Sequence, residues 1–361
     1  TSFPTRSNCS GISRPGTREP LRPGSMSAPE DEIWMQAAIG LAGSVRANTS
    51  PNPWVGAVVV PPGDDPVTEG ATEPPGGRHA EIQALELAGD TARGSTLYVT
   101  LEPCSHHGRT PPCADAVIRS GVKRVVVGIL DPDPQVSGRG VQRLRDAGLD
   151  VDVGVLAEDI ETLLAPYLKH RRTGRPWVVL KLASTLDGRI AAPDGSSKWI
   201  TGPEARADAH QLRAESDAVL VGAGTVRADD PALTVRDATG DDPIRVVLGK
   251  IPDGARVVPA LEHSGDLPRL LQDLGERDVL QLLVEGGSRV AWSFHEQHLV
   301  DQYVLYLAPV LLGGDDGVPL FRGPGAATLD SAWRGTITSV RRLGPDLRVN
   351  LLAPSGGGAV P

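Results

Sequence analysis

From about residue 30 onward the chain alternates between two hydrophobic periodicities. Short valine-rich runs of strand length are separated by segments whose apolar positions recur every three to four residues. In the first half this pattern predicts helix 31–43, strand 55–60, helix 79–89, strand 96–101, helix 114–120, strand 123–130, helix 138–147 and strand 150–154. The run Val125-Val126-Val127 has no polar alternation, as expected of a strand covered on both faces. In helix 79–89, Ile82, Leu85 and Ala88 or Gly89 share one face. These alternations read as an α/β sandwich around a mixed sheet.

A helical connector over 158–173 follows and ends in Lys169-His170-Arg171-Arg172, expected to be a solvated helix end that complements the dipole. A second α/β domain starts at Pro176-Trp177-Val178-Val179-Leu180. The predicted organisation is a disordered leader 1–27, a first domain 28–157, a connector 158–175, a second domain 176–353 and a disordered tail 354–361, with no internal repeat.

The chain's 361 residues suit two domains, and 40% hydrophobic residues suffice for two cores. A net charge of −9 offers no basic footprint for nucleic acid, and no apolar run approaches the roughly 18 residues of a membrane span. Residues 1–25 are different in kind: four arginines against the single acid Glu19, with Ser, Pro and Gly throughout. They read as a disordered leader, with Met26 the expected initiator. The three cysteines form no disulfide framework, which suits a reducing, cytoplasmic setting. Cys9, in the leader, is expected to stand apart from the other two.

Those two belong to a motif. His79-Ala80-Glu81 is followed by Pro103-Cys104 and, nine residues on, Cys113. One imidazole and two thiols are three ligands of a kind zinc accepts, leaving a fourth tetrahedral position for water. Glu81 stands beside His79 at the start of a helix and is the candidate proton carrier between water, a ring nitrogen and a departing amine. Strand 96–101 delivers Cys104, and a thiolate at the start of helix 114–120 gains from free backbone N–H groups. The competing reading of the cysteines, a Cys104–Cys113 disulfide, is disfavoured by the odd count.

The segment Thr100-Leu101-Glu102-Pro103-Cys104-Ser105-His106-His107-Gly108-Arg109-Thr110-Pro111-Pro112-Cys113 departs from the two-residue cysteine spacing of generic deaminases. It resembles the bifunctional riboflavin-biosynthesis deaminase–reductases. Ser50-Pro51-Asn52-Pro53-Trp54-Val55-Gly56 and Asp131-Pro132-Asp133-Pro134-Gln135-Val136-Ser137-Gly138-Arg139-Gly140 carry the same resemblance, which runs from about 30 to about 352. It implies a cytidine-deaminase-like αβα sandwich followed by a dihydrofolate-reductase-like α/β domain, with Zn2+ and NADPH as cofactors. The implied substrate is a phosphorylated diamino-ribosylaminopyrimidinone. It loses its 2-amino group by hydrolysis, and its ribosyl is then reduced to ribityl. Asn52 would bind the pyrimidine, with His106 and Arg109 as weaker candidates.

In the second half, Leu282-Leu283-Val284-Glu285-Gly286-Gly287-Ser288-Arg289 reads as a strand, a paired-glycine turn and a helix start, a setting that admits a phosphate. Gly222-Ala223-Gly224 is weaker. Three further segments, 181–189, 197–201 and 225–234, are similar to the reductase half of the same family. The resemblance implies cofactor contacts at Ala183, Trp199, Thr225, Asp229, Gly286, Gly287, Ser288 and Arg289. Substrate contacts are implied at Ser197, Arg213, Leu233, Arg236 and Glu285, the two arginines on a 5′-phosphate.

The chain departs from the family pattern in three places. Gly70-Ala71-Thr72-Glu73 lacks a substrate-contacting histidine, so Thr72 or Glu73 must substitute or the contact is lost. Asp133 replaces a usual asparagine. The stretch 250–278 holds little strand-like sequence after Val257-Val258, so the next sheet strand is expected to be missing or truncated. Two alternatives follow. A nucleic-acid deaminase needs a basic, aromatic surface and the shorter cysteine spacing, neither of which is present. A deaminase joined to a degenerate or regulatory nucleotide-binding half would account for the short 250–278 stretch, against which stand Lys181, Asp229 and Glu285. The oligomeric state is left open, a homo-oligomer included.

Overall fold

The computed structural model describes residues 29–105, 111–134 and 136–354. The expected leader 1–27, nearly all of the tail 354–361, and His106 and Arg109 therefore lie outside the described residues. The first half comprises α1 (Pro29–Ser44), β1 (Gly56–Val60), β2 (Thr68–Ala71), α2 (Ala80–Ala88), β3 (Thr96–Leu101), α3 (Cys113–Ser120), β4 (Arg124–Ile129), α4 (Arg139–Asp146) and β5 (Asp150–Val153). Its sheet runs β2-β1-β3-β4-β5, antiparallel through β1 and parallel from β3 to β5. Every strand and helix expected here is present to within two residues. β2 was not expected, its Thr-Glu-Gly-Ala having no strand-like composition; hairpin pairing to β1 makes it a strand.

Two glycines set the sandwich. Gly56 lies flat against α1, where a Cβ would come within 2.0 Å of the Ala38 carbonyl oxygen. Gly70 lies against α2, where a Cβ would come within 2.2 Å of the Ala80 carbonyl oxygen. Gly70 is registered opposite Ala57, the neighbour of Gly56, so the two helices cover opposite faces of the sheet. Val125, Val126 and Val127 are fully buried between the layers, each contributing about 1.5–3 kcal/mol of burial. On α2 the buried face is Ala80, Glu81, Ala84, Leu85 and Ala88, while Ile82 is only half-buried.

The connector is two helices, α5 (Ala157–Leu163) and α6 (Ala165–Thr173), with Pro166 in the first turn of α6, where its missing N–H costs nothing. The basic run at its end is solvated only at Arg172; Lys169 and His170 turn to the second domain. Lys169 Nζ stands 2.5 Å from Asp301 Oδ2, which also accepts the N–H of Val178 at 2.7 Å. His170 is buried, with Nε2 3.0 Å from the Gly275 carbonyl. Packing against the second domain thus takes up half of the run, while Arg171 and Arg172 remain in the last turn of α6.

The second half comprises β6 (Trp177–Thr185), β7 (Arg189–Ala191), α7 (Pro203–Ala214), β8 (Ala218–Gly222), α8 (Ala223–Asp229), β9 (Ile244–Leu248), β10 (Leu261–His263), α9 (Leu267–Gly275), β11 (Gln281–Val284), α10 (Ser288–Glu296), β12 (Gln302–Ala308), β13 (Val318–Pro319), β14 (Thr336–Leu343) and β15 (Asp346–Leu352). The main sheet runs β10-β9-β8-β11-β6-β12-β15-β14, parallel up to β12 and antiparallel beyond. The strand expected to be missing or truncated is present as β10, three residues long and at the sheet edge, where exposure on both faces removes the need for an apolar pattern.

Between the halves, Arg46 Nη2 donates to Gln281 Oε1 at 2.6 Å and its guanidinium stacks 5.1 Å from the Trp54 ring. Leu280, from the second half, packs into the first hydrophobic core. Among the described residues no helix is long and apolar enough to cross a membrane.

Candidate active sites

His79 is the N-cap of α2, with extended backbone (φ −76°, ψ 158°) that carries its ring away from the helix. Cys113 opens α3, and Cys104 stands three residues beyond the end of β3. Helix and strand ends that are far apart in sequence thus bring three donor atoms within 4.8 Å of one another. Nδ1 of His79 is 3.2 Å from Cys113 Sγ and 3.8 Å from Cys104 Sγ. Ligand atoms at zinc bond lengths of about 2.0–2.3 Å on a tetrahedron stand roughly 3.5–3.8 Å apart, so the donor set and spacing fit a zinc ion.

The electrostatics are those of a site for a cation. Cys104 is held well below the ordinary thiol range, chiefly by the hydrogen bond from Cys113, and the Cys113 N–H also donates to its sulfur at 3.2 Å. Cys113 is held up by the same partner and by burial. Hydrogen bonding to Cys104 raises His79. Glu81, buried in the first turn of α2 and hydrogen-bonded to Cys113, is pushed up to about 7, first by burial and then by the Cys104 charge.

Other residues singled out for the first half are disposed differently. Thr72 is buried, and its hydroxyl accepts the N–H of Val55 at 3.0 Å. Glu73 is clasped by Arg78, whose backbone N–H and Nε donate at 2.8 and 2.9 Å. Both side chains are taken up by the protein itself. Asn52 sits half-buried in the turn after Arg46–Asn48, and its amide makes no hydrogen bond to the described residues.

The second half contains a cleft of about 1160 Å³. Ala183, Ser197, Trp199, Arg213, Thr225, Asp229, Leu233, Arg236, Glu285, Gly286, Gly287, Ser288 and Arg289 all line it. The strand ends of β6, β8, β9 and β11 and the starts of α8 and α10 form its walls. Gly287, the N-cap of α10, offers no side-chain cap, so the first-turn N–H groups are left to a ligand. Gly286 has no room for a side chain, since a Cβ would stand 2.6 Å from Val290 Cβ. The backbone of this turn lies bare to the cleft, as an approaching phosphate requires.

Not all of the expected substrate groups are free. Arg213 Nε and Nη2 lie 2.8 and 2.7 Å from Glu285 Oε1, and Nη1 donates to the Thr234 carbonyl at 2.7 Å. Lys181 Nζ stands 4.0 Å from the other Glu285 oxygen and over the Tyr306 ring. Burial alone would raise the Glu285 pKa, but Arg213 and Lys181 hold it below the ordinary carboxylate range. Asp229 pairs with Lys198 at 3.2 Å, and exposed Trp199 stacks under the Arg206 guanidinium at 4.6 Å. Arg236 is exposed and makes no ion pair among the described residues.

Sequence reasoning missed Arg206, Arg227, Lys250, Arg256 and Arg322, which also line the cleft. Together its walls carry ten lysines and arginines against three acids, in a chain of 36 basic and 45 acidic residues. No run of basic residues signals this, because the cations come from separate segments. Lys250 and Arg256 belong to the 250–278 stretch, which walls the cleft despite its short strand.

Two family models match the chain: the cytidine and deoxycytidylate deaminase zinc-binding region over residues 28–129, and the RibD C-terminal domain over 176–349. The chain is 41% identical to the riboflavin biosynthesis protein RibD of Escherichia coli (strain K12), over 90% of this chain and 99% of that protein. It is 43% identical to RibD of Mycobacterium tuberculosis (strain H37Rv), over 88% and 96%. Among solved structures, form 1 of Acinetobacter baumannii RibD superposes with a TM-score of 0.83 at 38% identity, covering 90% of this chain and 99% of that one. A diaminohydroxyphosphoribosylaminopyrimidine deaminase/5-amino-6-(5-phosphoribosylamino)uracil reductase of Thermotoga maritima gives 0.79 at 37%, covering 90% and 98%.

Proposed function

The chain belongs to the RibD family of riboflavin-biosynthesis deaminase–reductases, and from that premise we propose how its residues divide the two reactions. It is a bifunctional enzyme with a deaminase domain and a reductase domain, and its cofactors are Zn2+ and NADPH. The domains are 28–157 and 176–353, joined by 158–175. The substrate is 2,5-diamino-6-(5-phosphoribosylamino)pyrimidin-4-one, deaminated first and reduced second.

In the deaminase, His79, Cys104 and Cys113 hold the zinc. When bound, the metal lowers the pKa of water toward neutrality. Glu81, outside the ligand set, carries both protons of the attacking water in turn, the first to the ring nitrogen as water adds and the second, from the new hydroxyl, to the amine that departs as ammonia. Asn52, whose amide makes no hydrogen bond among the described residues, hydrogen-bonds the pyrimidine.

In the reductase, Ala183, Trp199, Thr225, Asp229 and the turn Gly286, Gly287, Ser288 and Arg289 bind NADPH. When bound, NADPH would supply a hydride to C1′ of the imine formed as the ribosyl ring opens. Ser197, Leu233 and Arg236 bind the substrate, Arg236 through the 5′-phosphate. Glu285, held between Arg213 and Lys181, orients both cations toward the sugar phosphate. The free thiols of Cys104 and Cys113 are in keeping with a reducing, cytoplasmic setting.

The single observation that carries this reading is the concentration of ten cations in a cleft of a chain of net charge −9, as two polyanionic ligands demand. The alternative of a deaminase with a degenerate second half has no support, since the reductase-domain match spans 176–349. The test is NADPH oxidation on adding the substrate, with ammonia release followed in the same tube. Both signals together are expected. Ammonia alone would sink the reductase assignment, and neither signal in folded, zinc-replete protein would sink the substrate.

A further inference from the structure

Helix α4 begins without a cap of its own. Its N-cap is Gly138, in the left-handed region at φ 82°, which brings no side chain to the free N–H groups of the first turn. The missing acceptor arrives from the end of another strand. Glu102, directly after β3 and two residues before Cys104, is 4% exposed and turns its carboxylate onto α4. Oε2 accepts the N–H of Gly138 at 2.9 Å and of Asp131 at 3.2 Å, and Oε1 accepts the N–H of Val141 at 3.0 Å. Three backbone donors and the positive end of a helix compensate the buried charge.

A second contact clamps the same parts together. Gly140 lies on the Pro103 carbonyl, where a Cβ would stand 2.0 Å from the oxygen. The turn held in this way carries Cys104, whose carbonyl accepts the N–H of Ala114 at 3.2 Å and whose sulfur accepts that of Cys113. The motif 131–140, which neither reaction uses directly, thus backs the peptide that presents a metal ligand.

We propose that Glu102 is a positioning residue of the metal centre: by tying Asp131, Gly138 and Val141 to the Pro103–Cys104 turn, it sets where Cys104 Sγ stands relative to His79 and Cys113. This rests on the assignment of those three residues as zinc ligands. Glu102→Gln keeps the size of the side chain but turns one acceptor oxygen into an amide donor facing backbone donors, so at least one N–H loses its partner.

The experiment measures zinc affinity of full-length wild type and Glu102→Gln by competition with a chromogenic chelator. The visible bands of the cobalt(II)-substituted proteins report ligand geometry, and NADPH binding to the other domain serves as the folding control. The variant should bind zinc about tenfold or more weakly, the effect typical of residues that orient ligands, with shifted cobalt bands and unchanged NADPH binding. Wild-type zinc affinity and cobalt bands in the variant would overturn the proposal. So would equal losses of zinc and NADPH binding, which mark a support of the whole chain. If Glu102→Gln does not fold, Gly140→Ala is read in the same way, since its methyl must push α4 off the Pro103 carbonyl. Wild-type protein that takes up no zinc sinks the metal assignment and this inference with it; normal uptake with an indifferent Glu102→Gln sinks the inference alone.

Discussion

Arg213 and Glu285, two residues that the sequence offers separately as substrate contacts, hold each other: Nη2 lies 2.7 Å and Nε 2.8 Å from the same carboxylate oxygen. Both side chains are largely buried, and Lys181 approaches the second oxygen at 4.0 Å. Arg213→Ala should therefore leave a buried carboxylate short of its main partner and cost about 3–5 kcal/mol of stability. Urea unfolding monitored by tryptophan fluorescence reads this directly. A loss below about 1 kcal/mol would mean the pair behaves like a solvated one.

The same pair sets a pH dependence. Burial pushes Glu285 up, but Arg213 and Lys181 outweigh it, so its pKa in the folded protein lies below the unfolded value of about 4.3. A depressed carboxylate contributes stability that is fully present above the unfolded pKa and is lost as pH falls through the folded one. The stability difference between wild type and Glu285→Gln should shrink as pH is lowered from about 6 to about 3. A difference that grows over that range would reverse the sign assigned here.

Glu81→Gln should keep its zinc and lose deamination by about 10²- to 10⁴-fold, because the proton carrier goes while the ligands stay. Metal content by elemental analysis and ammonia release report the two halves of that statement. Full activity in the variant would remove Glu81 from the mechanism.

Cys104→Ser should lower zinc content itself, and chelation of the wild type should abolish ammonia release. NADPH oxidation on supplied deaminated product should survive either treatment, since the reductase cleft shares no residue with the metal cluster. Stoichiometric zinc in Cys104→Ser would exclude that sulfur as a ligand.

Gly286→Ala puts a methyl 2.6 Å from Val290 Cβ, so the turn and the first turns of α10 must move apart. Overpacking of this kind costs about 1–3 kcal/mol, and it should appear as weaker NADPH binding while zinc content stays unchanged. Unaltered NADPH affinity would show that the 286–289 turn does not carry the cofactor.

Much of this is legible in the sequence. Valine runs and three-to-four-residue periodicity are local signals, so the strands and helices of the first half appear where expected, and His79-Ala80-Glu81 with Cys104 and Cys113 marks the metal site by residue type. β2 and β10 were not legible, because a four-residue hairpin partner and a three-residue edge strand are made by pairing rather than by propensity. Lys169 and His170 read as a solvated helix end because nothing in Lys-His-Arg-Arg reveals Asp301 or the Gly275 carbonyl across the domain boundary.

The sequence by itself determined the family and the two chemistries, since these rest on several short segments, His79-Ala80-Glu81 and the Cys104–Cys113 stretch among them, each legible without knowing how they meet in space. Only the tertiary structure decided how charge is distributed among them. It gathered cations from β6, α7, α8, the 249–256 segment and α10 into one cleft of an acidic chain, and it paired Arg213 with Glu285 and Thr72 with Val55. It also laid Glu102 across the start of α4. The last three are pairings of buried polar groups between residues distant in the chain, and no local pattern encodes which partner each will find.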